Sequence, residues 1–190
     1  IQGIPTGLDR LDQMLDGLQY GEQTVLAARP SMGKTAIGIN IVEHACLERG
    51  IPTLVVTLEM TTAALMRRMA SSACGITMGE MRRGSFTESD FRKLTVFGAK
   101  ASKAQLWFLV GISGLTATQM CAGIRRYVRK HGVKLVVIDY LQKVAPAEKH
   151  EKRTYEVGAV SKALKACAAK TGAAFLTLAQ LNRESEKDKE

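Results

Sequence analysis

The sequence predicts an α/β fold: a mostly parallel, twisted sheet of at least five strands with helices on both faces. Three observations carry that expectation. Short apolar, β-branched runs alternate with segments of helical periodicity along the chain. Each run is near-continuously apolar, as strands covered on both faces are. A Gly33-Lys34-Thr35 turn stands directly between the first run and an apolar helix.

Taken in order, residues 1–21 carry Gly3, Gly7, Gly17 and Gly21 and read as turns around a short helix near 8–15. The first strand is 23–28, and the helix after it begins near Lys34. The second strand is 53–58; Thr61 then caps a helix with Leu65, Met66, Met69 and Ala73 on one face and Gly75 at its end. Thr87 and Asp90 form a capping box ahead of Phe91, Leu94 and Phe97, and the third strand follows at 105–110. Thr116 and Gln119 repeat the device before Met120, Ile124, Tyr127 and Val128, which stop at Gly132. The fourth strand is 134–139. Residues 145–154, rich in charge and poor in apolar side chains, are expected to form an exposed, mobile loop. Val157, Val160, Leu164 and Ala168 mark a helix ending at Gly172, and the fifth strand is 173–178. The apolar stripes of these helices are expected to be core faces.

At 190 residues the chain is long enough to close one large core, so a single domain is expected: an opening segment 1–21, a core 22–182 and a charged tail 183–190. It begins at Ile1 rather than Met and reads as a piece of something larger. With 46% hydrophobic and 24% charged residues, disordered and fibrous classes are excluded. No apolar run is long enough to span a bilayer and no secretory leader is visible, so a cytoplasmic location without a membrane partner is expected. Cys46, Cys74, Cys121 and Cys167 lie far apart without a C-x-x-C pair, which suggests reduced, mostly buried thiols. His44, His131 and His150 share no metal spacing. A net charge of +9 and a pI near 9.6 favour a polyanionic partner such as nucleic acid, although many basic domains never touch one.

The chemistry concentrates in Ala28-Arg29-Pro30-Ser31-Met32-Gly33-Lys34-Thr35. A loop between a strand and a helix N-terminus converges backbone N–H groups on phosphate oxygens and adds the positive end of the helix dipole. Gly33 permits close backbone approach, Lys34 places a cation on the β- and γ-phosphates of ATP, and the Thr35 hydroxyl can ligate Mg²⁺. This is a Walker A loop with one departure: Ala28 stands where its first glycine is expected. Asp139, closing the apolar run Leu135-Val136-Val137-Ile138, supplies the acidic residue that holds the metal in P-loop NTPases. An Asp at a strand end is also a common turn former; the P-loop gives it meaning. Tyr140, not Glu, follows, so the group that activates the attacking water must come from elsewhere. Glu59, at the end of the second strand, opens on the same crevice and is the candidate general base; a solvated strand-end carboxylate reads the same way. Gln180, at the tip of the fifth strand, is the candidate γ-phosphate sensor, with an ordinary polar strand end as its alternative.

These residues together resemble the C-terminal, RecA-like motor domain of DnaB-type replicative helicases of bacteria and phages. The similarity runs over nearly the whole chain. Residues 4–12 with Gly17-Leu18 resemble the family's lead into its first core strand, and the loop from Ala28 matches its version of Walker A, Ala28 included. Leu58-Glu59-Met60 resembles the motif that bears its catalytic glutamate, Val137-Ile138-Asp139-Tyr140-Leu141-Gln142 its Walker B, and Gln180-Leu181-Asn182-Arg183 its sensor motif. The resemblance implies a homohexameric ring that encircles single-stranded DNA, translocates 5′ to 3′ and unwinds a replication fork, with ATP at the subunit interfaces and with primase and a helicase loader as partners. It further implies that the N-terminal helicase domain, and the later stretch with further DNA contacts and an arginine finger, lie outside these 190 residues, so the fragment alone is expected to hydrolyse ATP slowly. In the charged loop, Lys149, Lys152 and Arg153, with His150 beside them, suit phosphate contacts along the channel; a solvated surface loop is the alternative. Two other functions compete. One is a related RecA-like ATPase of recombination or clock type, against which Arg29-Pro30-Ser31-Met32 argues. The other is a ring scaffold without turnover, which Lys34, Thr35, Asp139 and Glu59 together disfavour.

Overall fold

A computed structural model describes residues 2–58, 60–111, 115–139, 144 and 153–181. The chain runs α1 (Asp9–Leu15), β1 (Gln23–Ala28), α2 (Lys34–Val42) continuing as a π-helical segment (Glu43–Glu48), β2 (Thr53–Thr57), α3 (Thr62–Cys74), α4 (Met78–Arg83), α5 (Glu88–Lys103), β3 (Leu106–Val110), α6 (Ala117–His131), β4 (Leu135–Asp139), α7 (Arg153–Thr171) and β5 (Ala174–Gln180). All five strands pair in parallel, in the order β1-β5-β4-β2-β3. Among the described residues no helix is long and apolar enough to cross a membrane.

Strand periodicity divides the core in two. Leu54 and Val56 of β2, Val136 and Ile138 of β4 and Phe175 of β5 face α6 and α7, where Met120, Ile124 and Leu164 are fully buried. Val55, Leu135, Val137, Ala174, Leu176 and Leu178 face the other way, onto Ile39, Ile41, Leu65 and Met69. Asp139 continues the parity of Leu135 and Val137, and Gln180 that of Leu176 and Leu178, so both belong to the α2 side of the sheet.

Helix starts follow their capping chemistry. The Thr61 hydroxyl accepts from Ala64 N at 3.2 Å, and Thr87–Asp90 and Thr116–Gln119 form reciprocal capping boxes. A third box, Thr77–Glu80, opens α4, a helix absent from the sequence expectations.

Several expectations need correction. β1 and β3 are the sheet edges, and Val25 is 48% exposed, so not every strand is covered on both faces. The α5 stripe is a core face only in part: Phe97 is half-buried and packs against the core, Leu94 is half-buried, and Phe91 is exposed and meets Phe86 edge-on. On α3 it is Leu65, Met69 and Cys74 that are buried, while Ala73 is exposed. β5 runs two residues past 178. The charged loop ends earlier than 154, because α7 begins at Arg153; residues 145–152 lie outside the described residues. All four cysteines are free and buried.

The opening segment is tied down by a buried carboxylate. Asp12 Oδ1 accepts from the Thr6 N–H and hydroxyl, each at 2.8 Å, and Oδ2 from the Gly7 N–H at 3.2 Å, while Ile4 and Leu18 pair as an antiparallel bridge. Asp12→Ala leaves these donors without an acceptor and is expected to cost about 2–3 kcal/mol. A denaturant midpoint that stays at the wild-type value contradicts this.

A second carboxylate is built differently. Glu43, in the π-helical segment, is pushed up to about 7, chiefly by burial, against a hydrogen bond with Ser72 that favours the charged form. Its Oε1 is wholly buried and accepts no hydrogen bond from the described residues. The raised value means that the folded state holds this proton more tightly than the unfolded chain. The stability it contributes is complete below about 4.5 and is lost as pH rises through about 7. Glu43→Gln is therefore expected to stabilise the protein at pH 8 by about 1–2 kcal/mol, and by much less at pH 5. Thermal unfolding at both pH values checks this, and equal shifts at the two contradict it.

Candidate phosphate-binding site

The loop after β1 turns sharply. Met32 N donates to Arg29 O at 3.3 Å, Ser31 sits at φ 64° and Gly33 at φ 81°. A left-handed Ser costs about 1–2 kcal/mol, strain of the kind found where a backbone must follow a ligand. Gly33 meets the same requirement without penalty and leads straight into α2, whose first residues are Lys34 and Thr35. The N–H groups of that first turn are thereby aimed out of the sheet's C-terminal edge.

Three strands converge there. Ala28 ends β1 opposite Gln180, which ends β5, and the Leu181 N–H donates to Ala28 O at 3.0 Å. Asp139 ends β4, one strand further in. The Thr35 hydroxyl donates to Asp139 Oδ2 at 3.0 Å, and Lys34 Nζ lies 3.7 Å from Asp139 Oδ1, with both side chains about nine-tenths buried. Oδ1 is buried and accepts no hydrogen bond from the described residues, so that the Lys34 ammonium is its neighbour only as an ion pair. The cleft above holds about 340 Å³ and is walled by Ala28, Arg29, Pro30, Ser31, Gly33, Lys34, Thr35, Asp139 and Gln180. Met32, assigned with the rest of the loop, is 69% exposed and is not part of this wall.

Chemically, the arrangement offers a concave backbone turn, a lysine and a buried carboxylate beside a hydroxyl. Among the described residues no group of three or more His, Cys, Asp or Glu side chains could hold a metal by itself. Asp139 and Thr35 suit Mg²⁺, which takes one or two protein oxygens and completes its shell from phosphates and water. Asp139 Oδ1, buried and accepting no hydrogen bond from the described residues, is the observation that fits a cation here.

Arg68 is the cleft residue that sequence reasoning misses. It stands on α3 and lines the same cleft. The apolar stripe of that helix is what the sequence displays, and position 68 falls off it; an arginine nine residues beyond Glu59, on the helix leaving the crevice, is the available signal. Glu59 itself, Lys149, Lys152 and the side chain of Arg153 lie outside the described residues. Around Glu59, the Thr57 hydroxyl donates to Met60 O at 2.8 Å and accepts from Met60 N at 3.0 Å, and Thr57 is in register with Asp139.

Residues 3–190 match the family described as DnaB-like helicase C terminal domain. The replicative DNA helicase DnaB of Pasteurella multocida (strain Pm70) is 37% identical over 189 residues, covering 98% of this chain and 40% of the relative. That of Leifsonia xyli subsp. xyli (strain CTCB07) is 30% identical over 184 residues, covering 97% and 40%. Among solved structures, a DnaB-like replicative helicase studied with its interactions with primase superposes with a TM-score of 0.89 at 28% identity, over 100% of this chain and 46% of that one. A second solved structure, described as an ATPase domain, superposes with the same score and identity, over 98% and 66%. The chain thus spans about 40% of the length of the curated relatives it matches.

Proposed function

This chain belongs to the DnaB-like helicase C terminal domain family, and from that premise we propose that it is the ATP-hydrolysing motor of a ring-forming replicative DNA helicase. The observation that carries the proposal is the convergence of Lys34, Thr35 and Asp139, 3.7 and 3.0 Å apart in pairs, on the rim of a cleft shaped by the β1–α2 loop.

In this reading the backbone of Arg29–Gly33 cradles the β- and γ-phosphates of ATP, and Lys34 neutralises them. Thr35 and Asp139 would hold Mg²⁺, which when bound would supply neutralisation of the phosphate charge. Glu59 takes the proton of the attacking water as general base. Gln180, at the level of Ala28 across the β1–β5 pair, reports the γ-phosphate to β5, and Arg68 adds a second cation from α3. The lysine and arginine stabilise charge that develops on the transferring phosphoryl group, where preorganised cations act most strongly.

The assembly proposed is a homohexamer that encircles single-stranded DNA at a cytoplasmic replication fork, moves 5′ to 3′ and meets primase and a loader. These 190 residues form one motor domain of it. Lys149, Lys152 and Arg153 are proposed to touch DNA phosphates. Changing all three to Ala in the full-length protein is expected to flatten the salt dependence of single-strand binding by about 2 in the log–log slope; an unchanged slope removes them from the interface.

The test of the reading is ATP turnover and unwinding of a forked duplex by the full-length protein. Turnover stimulated by single-stranded DNA together with strand separation is expected. DNA-stimulated turnover without unwinding would instead indicate a recombination-type ATPase.

A further inference from the structure

The cleft lies at the C-terminal edge of the sheet on the α2 side, and the opposite face, covered by α6 and α7, carries a surface of one charge sign. On α6, Arg125, Arg126, Arg129 and Lys130 are all exposed, and Lys162 and Lys170 are exposed on the neighbouring α7. Neither α6 nor residues 157–171 of α7 contain an Asp or Glu, and none of the six cations is ion-paired among the described residues. The two helices pack as one layer. Cys167 donates to Cys121 O at 3.9 Å across their seam. The Cys167 thiol is held below its ordinary value first by its hydrogen bond with Cys121, against burial, with the charge and a hydrogen bond of Arg125 on α6 and the charge of Lys170 on α7 adding to the lowering.

Such a layer has a cost, because like charges one turn apart, Arg125 with Arg129 and Arg126 with Lys130, repel each other. What it suits is a polyanion. A protein partner would ordinarily need an apolar centre to its interface. No large hydrophobic residue of α6, or of residues 157–171, is exposed; those that are lie on other elements.

We infer that the outer face of α6 and α7 is a phosphate-tracking surface for a single strand of nucleic acid, separate from the nucleotide cleft and on the other side of the sheet. This rests on the helicase reading and adds to it a second stretch of strand contact. Binding there is sequence-independent, since phosphates carry no base information, and strongly salt-dependent, since each neutralised phosphate releases counterions.

The experiment uses the full-length protein carrying Arg126→Gln, Arg129→Gln and Lys162→Gln together, with a fluorescent single-stranded oligonucleotide titrated at several salt concentrations. The log–log slope is expected to become shallower by about 2, at about 0.7 per lost phosphate contact, while DNA-independent ATP turnover stays at the wild-type level and shows the variant folded. An unchanged slope in a variant with normal turnover overturns the inference alone. A variant that keeps the wild-type slope but loses affinity for a polyglutamate peptide also overturns it, in favour of an acidic protein. Wild-type protein that fails to bind the oligonucleotide at any salt overturns the helicase reading itself.

Discussion

Lys34→Ala in the full-length protein is expected to lower ATP turnover by at least about a hundredfold, the cost of removing one preorganised charge from a phosphoryl-transfer site. Nucleotide affinity should fall as well, because the ammonium acts on the bound phosphates and not only on the transition state. The structure makes the loss specific. Lys34 is the first residue of α2, its side chain is about nine-tenths buried beside Asp139, and among the described residues no other lysine lines the cleft. Lys34→Arg should rescue poorly, since a planar guanidinium cannot occupy the space of a compact ammonium at that depth. Steady-state phosphate release checks both variants, and turnover within a few-fold of wild type for Lys34→Ala contradicts the assignment.

Glu59→Gln is expected to give the second large effect, of a different kind. Removing a general base lowers the chemical step by about 10²–10⁴ while leaving the ground-state contacts to nucleotide in place. The variant should therefore bind ATP with near wild-type affinity and hold it unhydrolysed. Lys34→Ala should weaken both steps, and the contrast between the two variants separates a residue that handles water from one that handles phosphate. The assignment rests on the resemblance and on position. β2 ends in register with Asp139, and Thr57 is hydrogen-bonded to Met60. A Glu59→Gln protein with unimpaired hydrolysis would return this residue to the status of a solvated strand end.

Much of this architecture is legible because its determinants are local. Thr61, Thr87 and Thr116 announce helix starts through side chains that bond their own backbone, and the strand–loop–helix order around Gly33 and Lys34 can be read without knowing any other contact. What is not legible depends on neighbours distant in sequence. Hydrophobic periodicity says which side of α5 is apolar but not whether anything covers it, and Phe91 proves to be exposed. Apolar content says that residues 23–28 form a strand but not that β1 lies at the edge of the sheet, with Val25 half in solvent. The π-helical segment after α2 is equally silent, because it differs from an α-helix in hydrogen-bond register and hardly at all in the spacing of its apolar residues.

In the site, the same division holds. Lys34, Thr35 and Asp139 are legible because a motif and a strand end name them, and strand parity then accounts for their meeting: Asp139 and Gln180 fall on the α2 side of the sheet. Arg68 belongs to no stripe or cap, and only the fold brings it to the cleft. The α6–α7 cations are visible as the excess behind a net charge of +9, but their segregation onto one layer is not.

The most direct test of the central claim is a crystal structure of the full-length protein with Mg²⁺ and a non-hydrolysable ATP analogue. The triphosphate should lie along the backbone of Arg29–Gly33, with Lys34 on its γ-phosphate and the 3.0 Å Thr35–Asp139 hydrogen bond opened to admit the metal between the two side chains. An analogue bound away from this loop, with that hydrogen bond intact, would contradict the account.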